Sequence, residues 1–250
     1  MDRFGTFSAI ASALQQPLPG AGGSAASGSA PASSAATRVC DDLRRRIIAF
    51  DLPPDTVLSR IDLARQYDVS QTPLREALQK LEFEGLIEIF PQSRTIVTRI
   101  DAAQIGEAHF LRLAVETEVA RRLAAGCDPA TLARLRTILT MQEALASAPD
   151  ELPAFQELDE LFHQTLLVGA GQPGLQALLR ARTGHLNRFR RLYAPTPEKI
   201  AQIIAGHRAI ANALAAGDAE AAQSAVRGHL SQTIARLETA QTEHPDYFRP

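Results

Sequence analysis

The stretch Ile61 to Ile100, IDLARQYDVSQTPLREALQKLEFEGLIEIFPQSRTIVTRI, decides the fold, because it divides into two short helices and a pair of strands. Ser70 or Thr72 can offer a side-chain oxygen to the orphan N–H groups where the second helix opens, and Pro73 falls in a first turn that needs no donor. Leu74, Leu78 and Leu81 recur on one face and are expected to be buried. Ser70, Gln71, Thr72 and Arg75 crowd the same helix end on its other side. Such an end suits a phosphate backbone through its free N–H groups, hydroxyls and positive dipole, and Gln and Arg reach base edges beyond it. Gly85 is the expected stop; Leu86 to Phe90 read as a strand, PQSR as its turn and Thr95 to Arg99 as its partner.

Upstream, Val39, Leu43, Ile47 and Ile48 make one apolar helical stripe from Thr37, and DLPPDTVLS breaks it with two prolines. The next helix is expected from Arg60 to Tyr67. Three helices and a hairpin make residues 37–100 a winged helix-turn-helix, a fold that reads double-stranded operator DNA. With 26 basic and 28 acidic residues the chain has a net charge of −2, which excludes bulk adhesion to nucleic acid. Binding must then depend on placement, with Arg44 to Arg46, Arg75, Arg94 and Arg99 as a local stripe that a homodimer would double. The candidate DNA contacts are Arg44, Ser70, Gln71, Thr72, Arg75 and Arg94.

Residues 1–36 read as a flexible low-complexity tail: PLPGAGGSAASGSAPASSAA is too small and uncharged to offset its ordering entropy. Phe4, Phe7, Ile10 and Leu14 stand at helical spacing ahead of it and are assigned no function. Beyond Asp101 no strand is convincing. Apolar residues recur at helical spacing over Ala102–Ala125, Pro129–Ser147, Leu152–Val168, Pro173–Tyr193, Pro197–Ala216 and Ala219–Thr242. The fold class is therefore mainly α, a winged helix-turn-helix followed by an all-helical antiparallel bundle over residues 101–245. No apolar run approaches the roughly 20 residues of a membrane span, and no secretory signal block is evident, so a cytoplasmic protein with no membrane partner is expected. Cys40 and Cys127 suggest neither a disulfide framework nor a thiolate zinc site.

Asp159 and His163 are four apart on an otherwise apolar helix, so both point to one spot. That is metal-ligand spacing, and equally the spacing of a hydrogen-bonded pair. His207 and His229 each stand among apolar residues on later helices, where an unpaired imidazole would be costly. Arg112, one turn before Glu116, interrupts an apolar face and either clasps a ligand carboxylate or forms an internal salt bridge to Glu116. His185 and Arg188 lie along one helix side, as pocket residues for an anion or as a solvated basic face.

These residues resemble a known family. LSRIDLARQYDVSQTPLREALQKLEFEGLIEI, with LDELFHQTL and the later His207 and His229, is similar to a GntR-type winged helix joined to an all-helical FCD sensor domain, the arrangement of FadR-like transcription regulators. The resemblance covers nearly everything after the tail. It implies that Asp159, His163, His207 and His229 hold a divalent metal ion, zinc by default, with nickel, iron or manganese compatible with the same nitrogen and oxygen donors. It also implies a small carboxylate effector, a hydroxy or sugar acid, bound at the metal with Arg112, His185 and Arg188. Gln71, where the family has Arg, Arg94 at a wing position where it has glycine, Asp55 at a turn glycine and Gln172 at an Asn depart from the family pattern. Operator preference therefore does not carry over. The reading is a homodimeric, effector-controlled repressor. A metal-dependent hydrolase or isomerase acting on a small organic acid is the alternative, and a structural DNA binder without an effector is a third.

Overall fold

The computed structural model describes residues 34–146, 151–192 and 196–250, which form two compact units. One unit contains residues 34–109, 178–192 and 234–250. Its first helix, α1 (Ala35–Ile48), starts two residues earlier than expected because the Ser34 hydroxyl accepts the Thr37 N–H at 3.1 Å. The expected tail up to residue 33, with its Phe4 to Leu14 pattern, lies outside the described residues. Helix α2 (Arg60–Tyr67) matches its expected bounds and is capped by Ser59. Helix α3 (Gln71–Phe83) follows Ser70, which has the extended backbone of an N-cap but makes no capping bond through its hydroxyl.

Leu74, Leu78 and Leu81 are buried against Val39, Leu43 and Ile47 of α1, as the periodicity requires. Gly85 takes φ +76°, and the Leu86 N–H reaches back to the Leu81 carbonyl at 3.0 Å, closing α3 with the left-handed residue that glycine adopts at no steric cost. Strands β1 (Ile87–Ile89) and β2 (Thr95–Val97) pair antiparallel with Ile87 opposite Val97, and Val57 adds an isolated bridge to Ile96. The strands are shorter than read, and the wing turn between them carries Gln92 at φ +55°.

This unit also takes in segments that the sequence assigned to the bundle. After α7 (Pro173–Arg182), helix α8 (Gly184–Leu192) packs on α1. A Cβ at Gly184 would lie 2.9 Å from Leu86 Cδ2, so any larger residue there would force the Leu86 side chain to shift. Ile100 donates to the Tyr247 carbonyl at 2.7 Å and accepts from the Arg249 N–H at 2.8 Å, which ties the chain end to the segment after the wing.

The other unit contains residues 110–146, 151–177 and 196–233. It holds the later turns of α4 (Ala102–Ala124), then α5 (Pro129–Leu145), α6 (Leu152–Gly169), α9 (Pro197–Ala216) and α10 (Ala219–Ser231). Asp128, Thr196 and Asp218 accept N–H bonds at the starts of α5, α9 and α10. Leu135, Ile138, Phe162, Leu166, Ile210 and Val226 are fully buried and form its apolar interior. Two expected helices are each two. Pro173–Tyr193 breaks at Thr183, where the redirected α8 brings Gly184 onto Leu86, and Tyr193 lies outside the described residues. Ala219–Thr242 breaks after Ser231 and resumes as α11 (Leu237–Glu243). No described helix is long and apolar enough to cross a membrane, and both cysteines are free.

Candidate metal centre and nucleic-acid interface

Asp159 and His163 project from successive turns of α6 and meet His207 of α9 and His229 of α10. One donor atom from each of the four lies within 4.8 Å of every other. His163 Nε2 is 3.2 Å from His229 Nε2, and His207 Nε2 is 3.5 Å from Asp159 Oδ1. The ring orientations are fixed from behind. Glu116 Oε2 stands 2.5 Å from His163 Nδ1, and Gln142 Oε1 stands 2.7 Å from His207 Nδ1. A carboxylate only accepts, so His163 donates from Nδ1, and in the neutral ring this leaves the Nε2 lone pair facing the cluster. The Gln142 carbonyl does the same for His207, whose ring also stacks on Phe162 with centroids 3.9 Å apart.

This donor set fits a cation better than a self-contained hydrogen-bond network. Metal-bound imidazoles characteristically donate their second N–H to a carboxylate or carbonyl, which sets the tautomer and raises ligand basicity. Burial, reinforced by His163, pushes His229 down to about 3, so it stays neutral and able to ligate at ordinary pH. Gly206 makes room for His229: a Cβ there would lie 2.6 Å from His229 Nδ1. Burial alone would raise the Glu116 carboxyl, but Arg112 and His163 reverse this and hold it well below the ordinary carboxylate range. Arg112 Nε donates to Glu116 Oε1 at 2.8 Å, so the internal salt bridge is the arrangement present.

His185 and Arg188, expected as effector-pocket residues, lie on α8. They belong to the winged-helix unit, because α8 packs on α1 there. His185 accepts the Asp101 N–H at Nδ1 and donates from Nε2 to the Gly85 carbonyl, each at 3.1 Å. Burial and the charge of Arg188 push its pKa down to about 4.

On the reader, Ser70, Gln71, Thr72, Arg75 and Arg94 are all exposed. Gln71, Thr72 and Arg75 line a cleft of about 470 Å³ between α3 and the wing, with Arg60, Gln79 and Gln92. Arg94 lies over the Phe90 ring at 5.1 Å on the wing tip. Arg44 is the exception, and its expected DNA role is corrected. It is 8% exposed, and its Nε and Nη2 each donate at 2.6 Å to the two oxygens of Glu84 while Nη1 reaches Asp41, so no fork edge remains for phosphate. Arg45 and Arg99 are likewise engaged, with Asp42 and Asp55.

Residues 35–97 match the gntR family of bacterial regulatory proteins, and residues 107–232 match the FCD domain, about half of the chain by itself. The chain belongs to the GntR family, with an FCD domain. It is 36% identical over 206 residues, 82% of this chain and 86% of the relative, to a Streptomyces ambofaciens protein described as an uncharacterized HTH-type transcriptional regulator in an unstable DNA locus. It is 31% identical over 82% of this chain to the HTH-type transcriptional repressor RspR of Escherichia coli, covering 90% of that protein. The solved structure of E. coli McbR/YncC shares the fold, with a TM-score of 0.68, 24% identity and coverage of 83% of this chain and 99% of that one.

This GntR–FCD chain is therefore a DNA-binding transcriptional regulator and not an enzyme, which sets aside the hydrolase alternative. Three residues of the site were not singled out for these roles from sequence: Glu116 as the partner of His163, Gln142 as the partner of His207, and Gly206. Gln142 had a legible signal, a polar residue in register with Ile138 and Leu145 on the apolar face of α5, where it is completely buried.

Proposed function

We propose that this regulator is a homodimeric repressor whose operator affinity is set by a small carboxylate bound at a divalent cation held by Asp159, His163, His207 and His229. The observation that carries the reading is the outward-facing Glu116 and Gln142 contacts, which leave Nε2 of His163 and His207 aimed at one point with His229 and Asp159. A bound cation, zinc by default, would supply Lewis acidity for a carboxylate or hydroxyl. A sugar acid or hydroxy acid presents both groups, which matches one centre better than a simple fatty acid. Arg112, paired with Glu116 through Nε, would offer its remaining N–H groups to the effector's carboxylate.

Ser70, Gln71, Thr72, Arg75 and Arg94 would face the operator, with α3 in the major groove and the wing beside the backbone. Two copies would read a pseudo-palindrome. An effector that binds one helical packing more tightly than another shifts operator affinity by that difference and no more. The test is operator binding by the full chain on a fragment recovered by genomic selection, with zinc and gluconate as probes. Gluconate weakening binding only when zinc is present supports the reading; binding indifferent to gluconate and other hydroxy acids, with and without zinc, removes it.

A further inference from the structure

Arg188 of α8 is 0% exposed, and its Nε, Nη1 and Nη2 are all buried without a hydrogen-bond partner. The acidic groups of the same unit that flank its neighbours are already committed. Asp101 accepts the N–H groups of Ala103 and Gln104 and the Arg249 guanidinium, and Glu84 is taken by Arg44. His185, one turn away, has both ring nitrogens engaged. The guanidinium lies over the Phe50 ring, whose centroid is 5.7 Å from Cζ. A buried, unpaired charge is strongly unfavourable, and guanidinium cannot escape by losing its proton. Burial lowers Arg188 to about 10, still charged at neutral pH.

We propose that Arg188 forms a second ligand site, in the winged-helix unit, for a small monocarboxylate with an apolar body. The unmatched N–H edge is a planar fork that fits a carboxylate with two parallel bonds. Its surroundings favour that ligand over a hydrated phosphate. Leu186 and Phe189, with Phe50, Leu192 and Tyr247 packed against them, belong to one apolar cluster that can hold a hydrocarbon body but offers nothing to a dianion's remaining oxygens. The site shares no residue with Asp159, His163, His207 or His229, so it goes beyond the proposed metal-assisted sensing and can fail or succeed without it.

The test is thermal unfolding of the full chain with benzoate, and separately with inorganic phosphate, in the wild type, Arg188→Leu, Arg188→Lys and His207→Ala. At saturating benzoate the wild-type Tm is expected to rise by about 5 °C, since a ligand bound only to the native state stabilises it. His207→Ala keeps that rise, Arg188→Lys shows a smaller one because the fork is lost, and Arg188→Leu shows none. Arg188→Leu is also expected to be at least as stable as wild type without ligand, because it removes an uncompensated charge. No benzoate response in the wild type, an equal response in Arg188→Leu, or an equal response to phosphate would each overturn the assignment.

Discussion

Glu116 holds two residues of different kinds at once: its Oε2 lies 2.5 Å from His163 Nδ1 while its Oε1 accepts Arg112 Nε at 2.8 Å. The charge that fixes the imidazole therefore also anchors the cation proposed to meet the effector. Glu116→Gln keeps the shape and one acceptor but removes that charge. Zinc affinity, measured by competition with a chelating dye, is expected to fall about 10- to 100-fold. An unchanged affinity would mean that Glu116 serves only Arg112.

Gly206→Ala tests the same cluster from the α9 side. Its new methyl would lie 2.6 Å from His229 Nδ1, so either the ring or the helix must shift. Zinc binding should weaken by at least about tenfold, while helix content by circular dichroism stays unchanged. Retained affinity would show that His229 moves freely and is not held as a ligand.

The two arginines Arg44 and Arg75 should separate stability from DNA binding. Arg44→Ala leaves Glu84 buried without its fork and should cost about 3 kcal/mol in denaturant unfolding. Arg75→Ala removes an exposed side chain and should change stability by less than about 0.5 kcal/mol. Operator binding should show the reverse order in folded protein, with Arg75→Ala weakening it by about 1–3 kcal/mol if the side chain reads a base. Equal loss of stability in both variants would contradict the buried assignment of Arg44.

Acid should expose the role of His185. Its folded pKa is depressed to about 4 by burial and by Arg188, against about 6.5 in an unfolded chain. The unfolded state thus takes up the proton first, and stability is lost as pH falls from about 6.5 toward about 4, by at most about 3 kcal/mol. His185→Leu should flatten the slope of unfolding free energy over this window by up to one proton, whatever its effect at pH 7. A slope identical to wild type would mean that His185 is protonated in the folded chain.

Much of the fold was legible because it follows from periodicity and punctuation. Leu74, Leu78 and Leu81 declared the buried face of α3, Gly85 declared its end, and Asp55, standing at a turn glycine, does adopt φ +66°. Arg60–Tyr67 and Pro197–Ala216 needed no adjustment, having Ser59 and Thr196 as caps. The convergence of Asp159, His163, His207 and His229 was also readable, as polar side chains on apolar stripes have to find one another.

What escaped depended on tertiary placement. Nothing local says that Glu84, forty residues on, will claim Arg44, and a basic triplet on a helix reads as surface. At the break after Thr183, Gly184 meets Leu86, a contact nearly a hundred residues distant in sequence. Nor does local spacing announce that α8, which carries His185 and Arg188, packs on α1.

The most direct test of the central claim is thermal unfolding of the zinc-loaded full chain with gluconate and a panel of hydroxy acids, repeated after chelation and in His207→Ala. A selective rise in Tm that vanishes in both controls is the predicted result, because the ligand must bind the native state through the metal. A rise that survives chelation and His207→Ala, or no rise with any acid, would contradict the assignment of Asp159, His163, His207 and His229 as the effector centre.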